Sequence, residues 1–411
     1  MLWLKMGWRN LWRNRRRSLI ELTSIAGSIF IAIFFNNLAI GSYAQMINDG
    51  VRMGSGHIGL YHSQYLELRK TELTFEAGSL ISALEKEPLV DAVYPRLHVP
   101  GLIRSSRESR VSEIIGLDIY REKDSNPMLN TKRIVEGELP SDSDQRGALM
   151  GEVLARELGL SVGKKFVIMV QESDGEITSG LFRVAGLIRT NARMIDAAVV
   201  IVPRKVLGEL IGKMDSTHEI AVMFNSYKMI DDVLPRIQKI AGTQSDVDAY
   251  TWEKAMPEIA GGIKIDHIGL QIMVVFMYLI VGIGTVNTLL MSVMERTREF
   301  GVLRAVGLSK SGVRKIVFSE AFVLAVTGVC IGMVLAIAGG LYTAQHGINY
   351  SFMMKDQGFA GTLIEPIMYS SWDLMSMVVL GIGMILLALA ASLYPAHYVL
   401  KIQPSVAMRK Y

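Results

Sequence analysis

Two long intervals of this 411-residue sequence hold no charged side chain: no Asp, Glu, Lys or Arg occurs from His267 to Met294, and none from Ala321 to Met354. A third such interval runs from Leu22 to Asn48. About 20 apolar residues, rising about 1.5 Å each, cross the hydrocarbon of a bilayer. Each interval is long enough, and in lipid its backbone must bond within the segment, which predicts helices. A fourth apolar run, about Leu374 to Tyr394, is expected to end at Pro395. Between the second and third runs lies a dense charged stretch, Glu295 to Lys315. It sets Arg296, Arg298, Arg304, Lys310, Arg314 and Lys315 against Glu295 and Glu299. That Lys/Arg excess places it in the cytoplasm, and alternation then leaves both termini on the same side.

The chain is 50% hydrophobic with mean hydropathy +0.31, too apolar for an average soluble protein, yet it contains a long polar middle. One membrane part plus one soluble domain satisfies both facts. The formal charge of +4 gathers beside the apolar runs, which suits anionic lipid rather than nucleic acid, since no stacking aromatics interleave with the basic groups. With Cys330 as the single cysteine, no intrachain disulfide can form. The opening residues are basic and carry Trp3, Trp8 and Trp12, as an interfacial helix would. The run that follows is long for a signal peptide and is read as an uncleaved first crossing. Glu21 is expected at its wet end, snorkelling to the interface, with Asn36 and Asn37 bonding a neighbouring helix. Gly328, Gly332, Gly339 and Gly340 in the third crossing permit close helix approach.

The polar middle reads as α+β. His57 to Tyr61, Val90 to Ile103, Arg110 to Leu117, Lys165 to Gln171, Ile177 to Ile188, Ala197 to Val202 and His218 to Phe224 have strand character. Helices are predicted at Ser79 to Glu87, Glu152 to Leu158 closed by Gly159, Pro203 to Gly212, and Tyr227 to Ile240. Asp174-Gly175 signals a hairpin, and Lys123 to Gln145 an internal loop. Trp252 to Asp266 returns toward the membrane as a stalk, expected to be interrupted at Gly261-Gly262.

No phosphate loop occurs. Its nearest approach, Gly159 to Lys165, is short by two and is read as a hairpin turn. No G-x-S-x-G, H-E-x-x-H or C-x-x-C occurs either. His57 and His62 fall on opposite strand faces, which is poor metal geometry. Glu320 is expected to pair with Arg314 and Lys315. The methionines fill irregular cores or, alternatively, line an adaptable surface.

Within Glu295 to Lys315, Phe300, Leu303 and Val306 fall three apart and lie roughly along one helical face. Gly307 suits a left-handed cap, and Ser309 or Ser311 can cap the next helix. The stretch is either a helix that passes force or a loop that only sets topology.

The run ERTREFGVLRAVGLSKSGVRKIVFSEA resembles the signature of the FtsX-like permeases, the membrane subunits of type VII ABC systems that include MacB, LolC/LolE and FtsX. The closing YPAHYVLKIQPSVAMRK and the opening WRNLWRNRRRSL resemble the family's two ends, and LARELGLSVGKKFVIMV resembles a piece of the MacB-like outer domain. The resemblance implies an α-helical membrane protein with four transmembrane helices plus an α+β extracytoplasmic domain, in a bacterial inner membrane. Its segments would be a basic interfacial stretch (1–18), crossings at 19–43, 267–294, 313–342 and 373–395, and the domain with its stalks (44–266). A coupling helix (295–312), an outer loop (343–372) and a cytoplasmic tail (396–411) complete the chain.

By the same resemblance, Glu295, Arg298, Glu299, Phe300, Leu303, Arg304 and Val306 dock on a cytoplasmic ABC ATPase dimer. Phe300 would be the anchor. ATP and Mg would bind that partner, and this chain would hold no cofactor and no metal. A second permease copy or paralogue completes the core. The implied function is extraction of lipophilic cargo, with lipoproteins leading and a periplasmic acceptor receiving them. Drug or peptide efflux and regulation of a cell-wall hydrolase are the alternatives. Cargo and membrane lipid would be met between the first two crossings near the outer surface, at Asn36, Asn37, Ile40, Met273 and Met277.

Overall fold

The computed structural model describes residues 2–13, 15–141, 144, 146–172, 174–190, 192–225, 229–350 and 367–401. The chain forms two compact units, one of residues up to 42 with 265–349 and 367–401, the other of residues 43–264. Most of the predicted outer loop 343–372, and residues 402–411 of the predicted tail, lie outside the described residues.

The principal helices, in chain order, begin with α1 (Leu2–Arg13) and α2 (Arg15–Met53). The polar middle carries α3 (Gly78–Leu84), α4 (Ile119–Glu122), α5 (Glu152–Leu158), α6 (Arg204–Leu210) and α7 (Ile230–Ala241). Then come α8 (Pro257–Glu295), α9 (Thr297–Ala305), α10 (Lys310–His346) and α11 (Leu374–Lys401). Four of them, α2, α8, α10 and α11, are long and apolar enough to cross a membrane.

In the first unit these four helices share one core: Ile25, Ile29 and Ile33 of α2, Val281 of α8, Leu324 and Val329 of α10, and Met377 and Met384 of α11. The glycines of α10 allow the close approach. A Cβ at Gly328 would stand 2.7 Å from Ile25, and one at Gly332 would meet the Ala26 carbonyl. On α1, Trp8 and Trp12 are exposed and meet edge to face at 6.1 Å.

Two helix ends correct the sequence reading. The expected break at Gly261-Gly262 is absent, for α8 runs unbroken from Pro257. An interior glycine costs only about 1 kcal/mol relative to Ala, which a 39-residue helix absorbs. Nor does α11 end at Pro395; it continues to Lys401 with the proline inside. Proline forfeits one backbone bond, and membrane helices tolerate that loss.

The second unit is built on a ten-stranded sheet. Its strands are β1 (Ile58–His62), β2 (Ala92–Arg104), β3 (Ser109–Leu117), β4 (Ile134–Gly137), β5 (Gly147–Gly151), β6 (Lys165–Gln171), β7 (Ile177–Ile188), β8 (Val199–Pro203), β9 (Glu219–Met223) and β10 (Val247–Thr251). The order is β10-β1-β9-β2-β3-β8-β5-β7-β4, with β6 paired to β2 and β7. Alternation makes the β6–β7 ribbon one-sided: Phe166, Ile168 and Val170 are buried while Lys165 and Gln171 are exposed. Gly175, at φ 96°, turns the hairpin. Gly159, at φ 64°, caps α5 and leads into β6, so Gly159 to Lys165 is a helix-to-strand connection and not a hairpin.

β2 divides this unit into two lobes. Residues Ala92 to Arg96 pair with β9, whereas Leu97 to Arg104 pair with β3. One core lies on the first side, with Ile58, Leu60, Val93, Val222, Val233 and Ile237. Another lies on the second, with Leu97, Ile103, Ile114, Phe166, Val184 and Val200. At the division His98 stands 3.6 Å from Glu113 and 3.4 Å from Glu219. Burial disfavours its charged form, but the two carboxylates outweigh burial and raise its pKa to about 9. His57 accepts from the Phe224 N–H at 3.2 Å, and His62 from that of Gln64 at 3.3 Å.

Candidate coupling site

The charged stretch folds as α9, set in the chain between two membrane-length helices. Leaving α9, the backbone turns at Gly307, whose φ of 106° favours glycine. The Ser309 hydroxyl then accepts from the Gly312 N–H at 3.1 Å and caps α10. This turn and cap join the carboxyl end of α9 closely to the start of α10.

Ion pairs fix it further. Arg296 Nε donates to Glu299 at 3.1 Å, and its Nη1 donates to Glu320 at 3.1 Å. Ser292 adds a 3.0 Å bond to Glu320. From the N-terminus, Arg13 bonds Glu299, and Arg17 reaches Glu295 at 2.7 Å. Hydrogen bonds from Arg13, then from Arg296, hold the Glu299 carboxyl below its ordinary range. The Arg13 and Arg17 pairs are exposed and contribute about 0–1 kcal/mol each. Arg296–Glu320 is the sheltered pair, with the two side chains 10% and 13% exposed. Asn10, Arg13, Arg17, Thr288, Arg296 and Glu320 line one polar cleft.

Glu320 thus pairs with Arg296, contrary to the expected Arg314 and Lys315, both of which are exposed. Five or six residues along a helix do not bring two side chains onto one face. Phe300 needs a larger correction. It is 3% exposed and packs among Val293, Val313, Ile316, Val317, Ala396 and Val399. The Arg296 guanidinium lies 5.2 Å from its ring centroid. Phe300 therefore holds α9 to its own helical bundle, and it is not an outward anchor. The apolar surface left on α9 is Val302, Leu303 and Val306, the last 83% exposed. Glu295, Arg298 and Glu299 are exposed beside it, and Arg304 is half-buried.

Glu21 also departs from expectation. It is 2% exposed, not snorkelling: one oxygen accepts from Thr285 and the other from Thr288 at 3.2 Å. Two threonine hydroxyls on α8 complete an acid that would otherwise be costly in an apolar bundle.

Of the five cargo candidates, one is buried and four are half-buried on α2 and α8. Asn37 is buried, its Nδ2 lying 3.9 Å from Met377 Sδ on α11, and its backbone carbonyl accepts from the Ser371 N–H at 3.0 Å. Asn36 and Ile40 are half-buried on α2, and Met273 and Met277 are half-buried on α8. The outward face of α8 is apolar and bare, with Ile272, Val275, Phe276, Leu279, Ile280 and Ile283 exposed. Sequence reading missed the Arg13–Glu299 and Arg17–Glu295 ties, whose partners lie 286 and 278 residues apart.

The model of the FtsX-like permease C-terminal family matches residues 271–404, and that of the MacB-like periplasmic core domain matches residues 23–240. The lipoprotein-releasing system transmembrane protein LolC of Buchnera aphidicola subsp. Schizaphis graminum is 21% identical over 310 residues, covering 74% of this chain and 73% of that protein. The pyoverdine export ATP-binding/permease protein PvdT of Pseudomonas syringae pv. syringae is 23% identical over 405 residues, covering 89% of this chain. The macrolide export ATP-binding/permease protein MacB of Campylobacter jejuni is 23% identical over 348 residues, covering 81% of this chain. This chain spans only 56% and 52% of those two relatives. Among solved structures, the periplasmic region of MacB from Actinobacillus actinomycetemcomitans aligns at TM-score 0.35 and 14% identity, covering 50% of this chain and 94% of that one.

Proposed function

Because the chain belongs to the FtsX-like permease family with a MacB-like periplasmic core domain, we propose that it is the membrane subunit through which a separate ABC ATPase drives extraction of lipophilic cargo, lipoproteins foremost. The observation that carries this reading is α9: a short helix braced by Phe300 and Arg296, joined to two membrane-length helices, and presenting Val302, Leu303 and Val306 to solvent. Such a helix offers a partner an apolar contact and passes its displacement to α8 and α10. Arg298 and Arg304 would steer the encounter.

The excess of Lys and Arg around α9 and α1 supports a cytoplasmic place for both, with the polar middle outside. No phosphate loop occurs in the 411 residues, so ATP and Mg would be held by an ATPase pair working with two permease copies or a copy and a paralogue. The bare face of α8 suits membrane lipid or acylated cargo.

Reconstitution in lipid vesicles with the cognate ATPase tests the reading. ATP hydrolysis should be negligible for the permease alone, appear with the ATPase, and rise on adding a triacylated lipoprotein. Stimulation by a small amphiphile or a cell-wall hydrolase instead would move the assignment to efflux or to force transmission. Hydrolysis by the purified permease alone would overturn the division of labour.

A further inference from the structure

Among the described residues, Arg96 is the largest fully buried side chain. It sits on β2 at the residue where the strand leaves β9 for β3, between the two lobes. Its guanidinium makes three kinds of contact. Nη2 donates to the Arg52 carbonyl at 2.7 Å and Nη1 to the Gly54 carbonyl, both at the carboxyl end of α2. Nη2 and Nε also bond Glu122 Oε2, at 2.7 and 3.1 Å, on α4 of the second lobe. Glu219 Oε1, on β9 of the first lobe, stands 3.9 Å away. Glu122 is itself fully buried and accepts from Asn126 Nδ2 at 3.1 Å.

A helix end leaves its last carbonyls without intrahelical partners. Here the Gly50 and Val51 carbonyls accept from the N–H groups of Gly54 and Gly56, at 2.8 and 2.9 Å. Arg52 is served by the arginine, so a side chain from the sheet completes the cap. An independent contact agrees. Met53, the last residue of α2, is buried among Leu117, Ile119, Met128 and Leu129 of the second lobe, while Ile47 and Val51 pack in the core of the first. Only arginine has enough donors in one rigid fork to serve two carbonyls and a carboxylate together.

We infer that Arg96 is a positioning residue that locks the carboxyl end of α2 to the lobe of residues 97–211, so that tilting α2 displaces that lobe as one piece. The inference rests on the reading of α2 as a membrane helix moved by a cytoplasmic motor. Its test does not use the motor.

The test places spin labels in the full chain in lipid nanodiscs, on a Cys330→Ser background. One pair, Asn48→Cys with Lys123→Cys, spans from α2 to the second lobe. A control pair, Asn48→Cys with Lys239→Cys, spans from α2 to the first. Wild type should give one narrow distance distribution for each pair. Arg96→Met should lose the narrow peak of the first pair and keep that of the second. Arg96→Lys, which keeps the charge opposite Glu122 but not the fork, should regain thermal stability without regaining that peak. If the first pair stays narrow in both variants, the lock is refuted. If both pairs broaden together, Arg96 only supports folding, and the inference fails as well. A missing ATPase response in the reconstituted system would sink the permease reading and leave these distances unchanged.

Discussion

Truncating either face of α9 separates its bracing from its proposed docking. Phe300 is 3% exposed among six other buried apolar side chains of α8, α10 and α11, so Phe300→Ala removes a filled core position. Such truncations cost about 3–5 kcal/mol when the site cannot collapse. Val306 and Leu303 are 83% and 38% exposed and support nothing within the chain to that degree. Burying a Val or Leu side chain is worth about 1.5–3 kcal/mol when complete, so covering both against an ATPase contributes about 2–4 kcal/mol. At about 1.4 kcal/mol per decade, Leu303→Ser with Val306→Ser should weaken ATPase binding by roughly two orders of magnitude. The thermal midpoint of the permease in detergent should stay near wild type. Phe300→Ala should instead lower that midpoint, and weaken ATPase binding only through the loosened helix. The assays are thermal unfolding of the purified chain and the amount of ATPase that copurifies with it. A normal midpoint with lost ATPase for Phe300→Ala, together with full ATPase binding by the Leu303/Val306 double variant, would refute the reasoning.

Reporter fusions active only outside the cytoplasm should work near Ser125 and fail near Ser309; the reverse pattern would overturn the orientation. His98, raised from 6.5 to about 9, is charged in the fold at pH values where the unfolded chain has lost its proton, so its stabilisation is present below about 6.5 and disappears as pH rises through 9. His57 and His218, lowered by burial to about 4, act oppositely, and stability falls as pH drops from 6.5 toward 4. Thermal midpoints against pH should therefore peak near neutrality, and His98→Gln should flatten the alkaline arm; an unchanged alkaline arm would discount the Glu113–His98–Glu219 contact. Glu21→Leu strands Thr285 and Thr288 and should lower crosslinking between cysteines placed on α2 and α8, whereas Glu21→Gln should retain most of it; equal crosslinking in Glu21→Leu and wild type would remove Glu21 as a helix tie.

Much of the fold was legible because its signals are local. Charge-free runs fix membrane helices regardless of what surrounds them, and Lys165–Gln171, Ile177–Ile188 and Glu152–Leu158 fall where alternation and the Gly159 cap place them. Breakers misled where context overrode them, at Gly261-Gly262 and Pro395. At α9 the spacing argument failed through geometry: three residues turn a helix by about 300°, so each step drifts about 60° and Val306 lies about 120° from Phe300. The same periodicity that suggested one face allows Phe300 to be buried and Val306 to be bare.

What the sequence concealed is long-range polarity, and it bears on how the bundle is held. Between helices in lipid the hydrophobic effect supplies little attraction, so packing and a few polar contacts decide their mutual position. On α8 those contacts crowd the end nearest α9: Thr285 and Thr288 hold Glu21, and Ser292 holds Glu320. Farther along α8, toward residue 272, the outward face offers only exposed Ile, Val, Leu and Phe side chains. Tyr278, which donates to the Leu380 carbonyl at 2.5 Å, ties that stretch to α11. On the proposed reading, a displacement imposed at α9 would act on α8 where these polar contacts tie α8 to α2 and α10. Its bare face is left to whatever apolar surface, lipid or acyl chain, lies alongside.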